Sequence, residues 1–101
     1  MDDVIELVAL TYAKNEYGVP IPTERKREVY AKVRSVSRME FFDGGRNGLN
    51  PQYVMDVFVG DYDGETVCEY AGKRYGIYRT YKATESDYME LYVEMKGGTN
   101  V

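Results

Sequence analysis

The 101 residues are 44% hydrophobic and 30% charged, enough for one folded domain with a modest core and too few for two. There is no histidine, which removes imidazole as a base or metal ligand, and the single cysteine excludes an internal disulfide. The net charge of −4 is uneven: one Lys opposes four acids over 1–23, seven Lys/Arg oppose four over 24–46, and five oppose nine over 47–101.

Val4 to Tyr12 is apolar and β-branched, a pattern that fits a strand and is also compatible with a helix. Gly18, Pro20 and Pro22 mark Asn15–Thr23 as a loop. Residues 1–24 are therefore expected to form an extended N-terminal arm, ordered only where it finds an edge to lie on. Arg25–Val36 reads as a strand, with Val29, Ala31, Val33 and Ser35 directed at the core. Ser37-Arg38-Met39-Glu40 matches a capping box, in which Ser37 takes an orphan N–H while Glu40 reaches back. A short helical turn should follow, its apolar face of Met39, Phe41 and Phe42 covering one end of the sheet. Only one of the adjacent Phe41 and Phe42 can point fully inward; the other should lie at a rim.

Asp43, Gly44, Gly45, Arg46, Asn47, Gly48, Leu49, Asn50 and Pro51 then form a glycine-rich stretch, expected to be a long mobile loop. Tyr53–Val59 is a strand, and Asp61-Tyr62-Asp63-Gly64-Glu65 is a charged hairpin turn. Thr66–Tyr70 and Lys73–Tyr81 make a hairpin about Ala71-Gly72. Tyr88–Met95 closes the sheet with Met89, Leu91, Val93 and Met95 inward, ahead of a frayed tail at 97–101. Five or six short strands with frequent turns predict a small antiparallel β-barrel or sandwich, mainly β, with a short helical turn and a long glycine-rich loop.

No constellation of catalytic type emerges. Asp61, Asp63 and Glu65 alternate like calcium ligands, but the rest of the twelve-residue pattern is missing. The glycines at 44, 45 and 48 lack the Lys-Ser/Thr ending of a phosphate cradle. Cys68 lies in an apolar run and reads as a small core residue. Lys73, Arg74 and Arg79 interleave with Tyr70, Tyr75, Tyr78 and Tyr81, as on a platform for single-stranded nucleic acid. Strict alternation, however, sends Tyr75, Ile77 and Arg79 to one face and Tyr78 and Thr80 to the other, so the platform shrinks. The basic stretch at 24–46 can meet phosphate or an acidic protein, or can simply guard strand edges. The chain is read as a non-enzyme without metal or cofactor. The acidic MDDVIEL start and the lack of a membrane-length apolar run point to a cytoplasmic protein.

Three stretches in order, VYAKVRSVSRMEFF (Val29–Phe42), DVFVGDYDGETV (Asp56–Val67), and YAGKRYGIYRTY with YMELYVEMKGG (Tyr70–Gly98), resemble the head-closure, or head–tail joining, proteins of long-tailed bacteriophages. The similarity runs from about Tyr12 to Asn100. It implies a single head-closure-like β-barrel over 1–101 acting in the virion neck, after assembly in the host bacterial cytoplasm. Like subunits would form a ring between the portal/adaptor ring and the tail-completion protein, with double-stranded DNA only as channel contents. The resemblance also implies that Asp43 to Asn50 is a loop reaching into the channel. Arg38, Phe41 and Phe42 are the candidate assembly interface, and the free chain is expected to be monomeric. The readings left beside it are another connector or tail-completion protein and, from a different class, an oligonucleotide-binding barrel.

Overall fold

The computed structural model describes residues 3–95, so the expected tail at 97–101 lies outside the described residues. Six strands and one helix follow in the order β1 (Asp3–Lys14), β2 (Pro20–Ser35), α1 (Arg38–Arg46), β3 (Pro51–Phe58), β4 (Val67–Tyr70), β5 (Lys73–Tyr81) and β6 (Tyr88–Met95). The strands close into an antiparallel barrel ordered β1-β2-β3-β6-β5-β4. The small antiparallel barrel and short helix read from the sequence are therefore present.

Alternation builds the interior. Ile5, Leu7, Val29, Ala31, Met55, Val57, Cys68, Tyr75, Leu91 and Val93 form one buried cluster to which every strand contributes. Val29 and Ala31 face inward as their spacing requires, as do Leu91 and Val93 of β6. The β4–β5 hairpin turns through Ala71 and Gly72, both at positive φ, 53° and 79°. That pair of left-handed residues matches the strand twist of a two-residue hairpin.

Val4–Tyr12 lies in β1, the strand alternative of its pattern. Two expectations change. Of Asn15–Thr23 only the turn is irregular, while Pro20 to Thr23 already lie in β2, with Pro22 opposite Tyr12 and Pro20 opposite Lys14. Proline is accepted in a strand whose outer edge is unpaired, because its missing N–H then costs no ladder bond. Asp61–Glu65 is not a hairpin turn either. A 3₁₀ turn at Val59–Asp61 leads the chain away from β3 to β4, and these strands are not neighbours in the barrel.

The barrel closes through a short seam. β1 meets β4 over Glu6–Val8 alone, and β2 meets β3 over Ala31–Ser35. Beyond those pairs β1 and β2 run on together, exposed, to a turn at Asn15–Val19, so the longest dimension reaches 50 Å against 31 and 25 Å. Asn15 shapes that turn: its Oδ1 accepts from the N–H groups of Tyr17 (2.8 Å) and Val19 (3.0 Å).

Cys68 sits in the seam, fully buried, with Sγ 3.8 Å from Met55 Sδ. Burial pushes its thiol up to about 12. Labelling of the native protein by a thiol reagent should therefore be slowed to the extent that the barrel stays closed, and should accelerate in urea. Labelling as fast in the native protein as in the urea-unfolded chain would mean that the thiol is accessible.

Candidate functional site

The helix α1 starts and stops as its sequence allows. Ser37 is extended, at φ −69° and ψ 160°, and its Oγ accepts from Glu40 N–H at 3.1 Å. At the other end Gly48 is left-handed, at φ +80°. Its N–H donates to Gly45 O at 3.1 Å, and Leu49 N–H donates to Gly44 O at 2.8 Å. These two bonds are the pairing of a Schellman cap. Asn50 N–H then donates to Glu94 Oε1 at 3.2 Å, tying the return to β6.

This corrects the long glycine-rich loop. Asp43, Gly44, Gly45 and Arg46 are helical, Asn47 is the C-cap, and Gly48, Leu49 and Asn50 are a bonded return to β3. Gly44 is the one buried residue of α1. A β-carbon there would run into the Pro51 ring, so glycine is needed for close approach and not for flexibility. Ser37 and Gly48 are the start and stop signals that could have located the helix in the sequence.

Glu40 fastens α1 to the barrel wall. Its side chain does not reach back to the N-cap. It accepts from Tyr78 Oη and from Arg79 Nη2, both at 2.6 Å. Two adjacent strand residues reach the same carboxylate because the β5–β6 register shifts between Ile77 and Arg79. This bulge turns Arg79 to the outer face beside Tyr78, against the strict alternation expected from the sequence. The Arg79 guanidinium also lies 3.7 Å from the centroid of the Tyr92 ring, and Tyr92 Oη donates to Glu90 at 2.6 Å. Burial, then the bond to Glu40, pushes the Tyr78 phenol up.

With its inner side thus held, α1 turns Met39, Phe41 and Phe42 outward. They are 74%, 46% and 59% exposed, and the two phenylalanine rings meet edge to face at 5.9 Å. Neither ring enters the core, contrary to the expectation that one would. Glu40 and Gly44, four residues apart, occupy the inward helix face instead. Arg38 and the Asp43–Arg46 ion pair flank a shallow apolar surface formed by Met39 and Phe42. The expected interface residues Arg38, Phe41 and Phe42 therefore share one exposed helix, with Met39 added.

A second clamp, without any local sign in the sequence, holds the base of the β1–β2 ribbon. Arg74 donates to Glu24 at 2.7 and 3.0 Å and to Glu69 at 2.6 Å; Lys26 pairs with Glu69 at 3.2 Å. Arg27 donates to Glu65 at 2.7 Å, and Glu65 also accepts from Asp63 N–H at 2.9 Å. The Glu65 carboxylate thus turns toward Arg27 and does not converge with Asp61 and Asp63 as a calcium loop would. Among the described residues no three His, Cys, Asp or Glu side chains group as metal ligands. The residues of the expected platform on β5 are divided: Tyr75 is core, Arg74 and Arg79 are in ion pairs, and Tyr78 is bound to Glu40.

Compared with protein-family models and with curated proteins, the chain matches none.

The two helical glycines should respond oppositely to substitution. Gly45→Ala meets open space and should stabilise by about 0.5–1 kcal/mol. Gly44→Ala should destabilise despite the same gain in helix propensity, because Pro51 must shift. Urea midpoints of the two variants check this contrast.

The ribbon clamp should weaken in acid. The Arg74 hydrogen bonds hold the Glu24 and Glu69 carboxyls below the usual range. Burial raises Glu65, but the bond from Arg27 and the backbone N–H bonds outweigh it, leaving that carboxyl also below its usual value. A carboxylate depressed in the folded state stabilises above its unfolded value, near 4.5, and loses that contribution as pH falls through the folded value. Thermal midpoints from about pH 7 to 3 should therefore drop at the acid end, and Glu65→Gln should flatten the drop.

Proposed function

We propose that this chain is a structural virion protein of a tailed phage or prophage: a ring subunit that joins the portal/adaptor to the tail and retains packaged DNA. The observation that carries this reading is the outward face of α1. A helix anchored at both caps, at Glu40 and at Gly44 holds Met39, Phe41 and Phe42 in solvent. A closed barrel has no folding need for such a face, and a rigid apolar surface rimmed by Arg38 and Arg46 suits a protein partner. It lies between the second and third strands, where the resemblance to head-closure proteins implies the working segment. The capped helix and its return, Asp43 to Asn50, would then meet the channel as a preformed element. No catalytic step is assigned to the chain.

The oligonucleotide-binding reading has less support, because Arg74 and Arg79 of β5, which would track a phosphate backbone, already hold Glu24, Glu40 and Glu69. Another connector or tail-completion protein of the same virion would use the same apolar helix, and the stage at which assembly stops tells these roles apart.

Loss of the gene from an inducible host should yield filled heads and separate tails, with heads that leak DNA. A defect confined to completing the tail would point to a tail-completion protein instead, and undisturbed particles would overturn the reading. Phe42→Glu should keep the parent melting temperature within about 2–4 °C, since the ring is exposed, yet fail to restore joining. A gel shift with single-stranded DNA at low salt should be negative.

A further inference from the structure

The β1–β2 ribbon has two outer edges, and they differ. Asn15 N–H donates to Val19 O at 3.0 Å, which makes Asn15–Val19 a hydrogen-bonded pair. Bonded and non-bonded pairs alternate along an antiparallel ladder. Counting back through the register, Lys14–Pro20, Tyr12–Pro22 and Leu10–Glu24 are non-bonded pairs, whose main-chain groups point away from the ribbon. On the β2 side two of those outward positions are Pro20 and Pro22, which offer no donor. On the β1 side Leu10, Tyr12 and Lys14 each present both an N–H and a C=O. Among the described residues nothing pairs with that side of β1 beyond Val8.

An open edge with apolar side chains is a template for another strand, and proline is one of the usual guards against such pairing. Near the tip β2 is guarded by Pro20 and Pro22 and β1 is not; nearer the barrel, β2 has no partner on its outer side until Ala31 among the described residues. Leu10 and Tyr12 are 56% and 65% exposed on one face. At the tip the two edges are therefore unequal, and β1 is the one that can accept a strand there.

We propose that the free edge of β1 pairs with the same edge of a second copy, antiparallel, about a two-fold axis at Tyr12. In that register Tyr12 faces Tyr12 of the second copy, and Leu10 faces its Lys14, once on each side of the axis. All three outward residues of each chain then exchange N–H and C=O bonds with the other. The charges agree with this arrangement. Leu10 lines a cleft of about 250 Å³ together with Val8, Asp63 and Glu65. Glu65 is already held by Arg27, whereas neither Asp63 nor Lys14 is in an ion pair among the described residues. The Lys14 that arrives opposite Leu10 thus meets the unpaired carboxylate of Asp63. The two barrels lie at opposite ends of the joined ribbons. The expected free monomer gives way to a dimer, and this inference stands apart from the neck assignment because the edge is open whatever the chain joins.

Sedimentation equilibrium of the full chain should show a monomer–dimer equilibrium, with amide exchange at Leu10, Tyr12 and Lys14 slowing as the dimer fills. Tyr12→Pro deletes an outward donor and no bond within the ribbon, so it should raise the dimer Kd about tenfold or more with the barrel intact. Tyr12→Val, which keeps the N–H, should dimerise more tightly than Tyr12→Pro. Lys14→Glu should weaken the dimer severalfold, and Lys14→Glu with Asp63→Lys should restore it. A chain that stays monomeric at about 1 mM, or a dimer indifferent to Tyr12→Pro, would overturn the proposal. Open-ended growth of oligomers with concentration would also overturn it.

Discussion

The shortness of β4 governs this molecule. Four residues at Val67–Tyr70 must close a barrel whose first two strands have twelve and sixteen. The seam therefore uses only Glu6, Leu7 and Val8 of β1, and whatever remains of β1 and β2 is forced out of the wall as a ribbon. Closure itself is secured from inside, where Leu7 and Cys68 are directly paired and both fully buried. A sheet closed on itself has no edge. This one keeps an edge on β1 beyond Val8 and on β2 before Ala31, and the prolines of β2 guard the far end of the second.

Charge fastens what the core cannot reach. Glu24, Lys26, Glu69 and Arg74 lace the base of the ribbon across strands that are far apart in sequence, and Arg27–Glu65 ties it to the β3–β4 crossover. On the opposite flank Glu40 performs the same task for α1. Exposed pairs of this kind contribute little singly, but a shared carboxylate with bidentate arginine geometry fixes orientation as well as energy. Of the seven basic residues over 24–46, Lys26, Arg27 and Arg34 are paired with acids of the last half of the chain, and apolar side chains on α1 and on the ribbon stay exposed for a partner.

The position of the candidate surface depends on two local devices. The bulge at Tyr78 brings Arg79 to the outer wall, and Gly44 lets the helix come down onto Pro51. Together they set Glu40 and Gly44 inward. Since residues four apart share a helix face, Met39, Phe41 and Phe42 have no inward position left. Exposure of the phenylalanines follows from the helix's phase, not from any lack of hydrophobicity.

The chain by itself determined the parts that rest on local chemistry. Alternation in β2 and β6, the two-residue turn at Ala71-Gly72, the cap at Ser37 and the burial of Cys68 depend on side-chain period, backbone preference and hydrophobicity, and all can be read within a few residues. The glycine-rich stretch reads as a loop from sequence, yet Gly44, Gly45 and Gly48 have three different roles: close packing, an open helix position and a left-handed cap. Only the tertiary contact with Pro51 separates the first from the second. The prolines at 20 and 22 likewise mark a loop until the fold shows an unpaired strand edge, where a missing N–H has no cost. Tertiary structure alone decided the direction of Arg79 and of Phe41 and Phe42, and the pairing of Arg74 with Glu24 fifty residues away. A bulge or a long-range ion pair is set by which strands become neighbours, and that neighbour relation is not encoded in any short stretch of the chain.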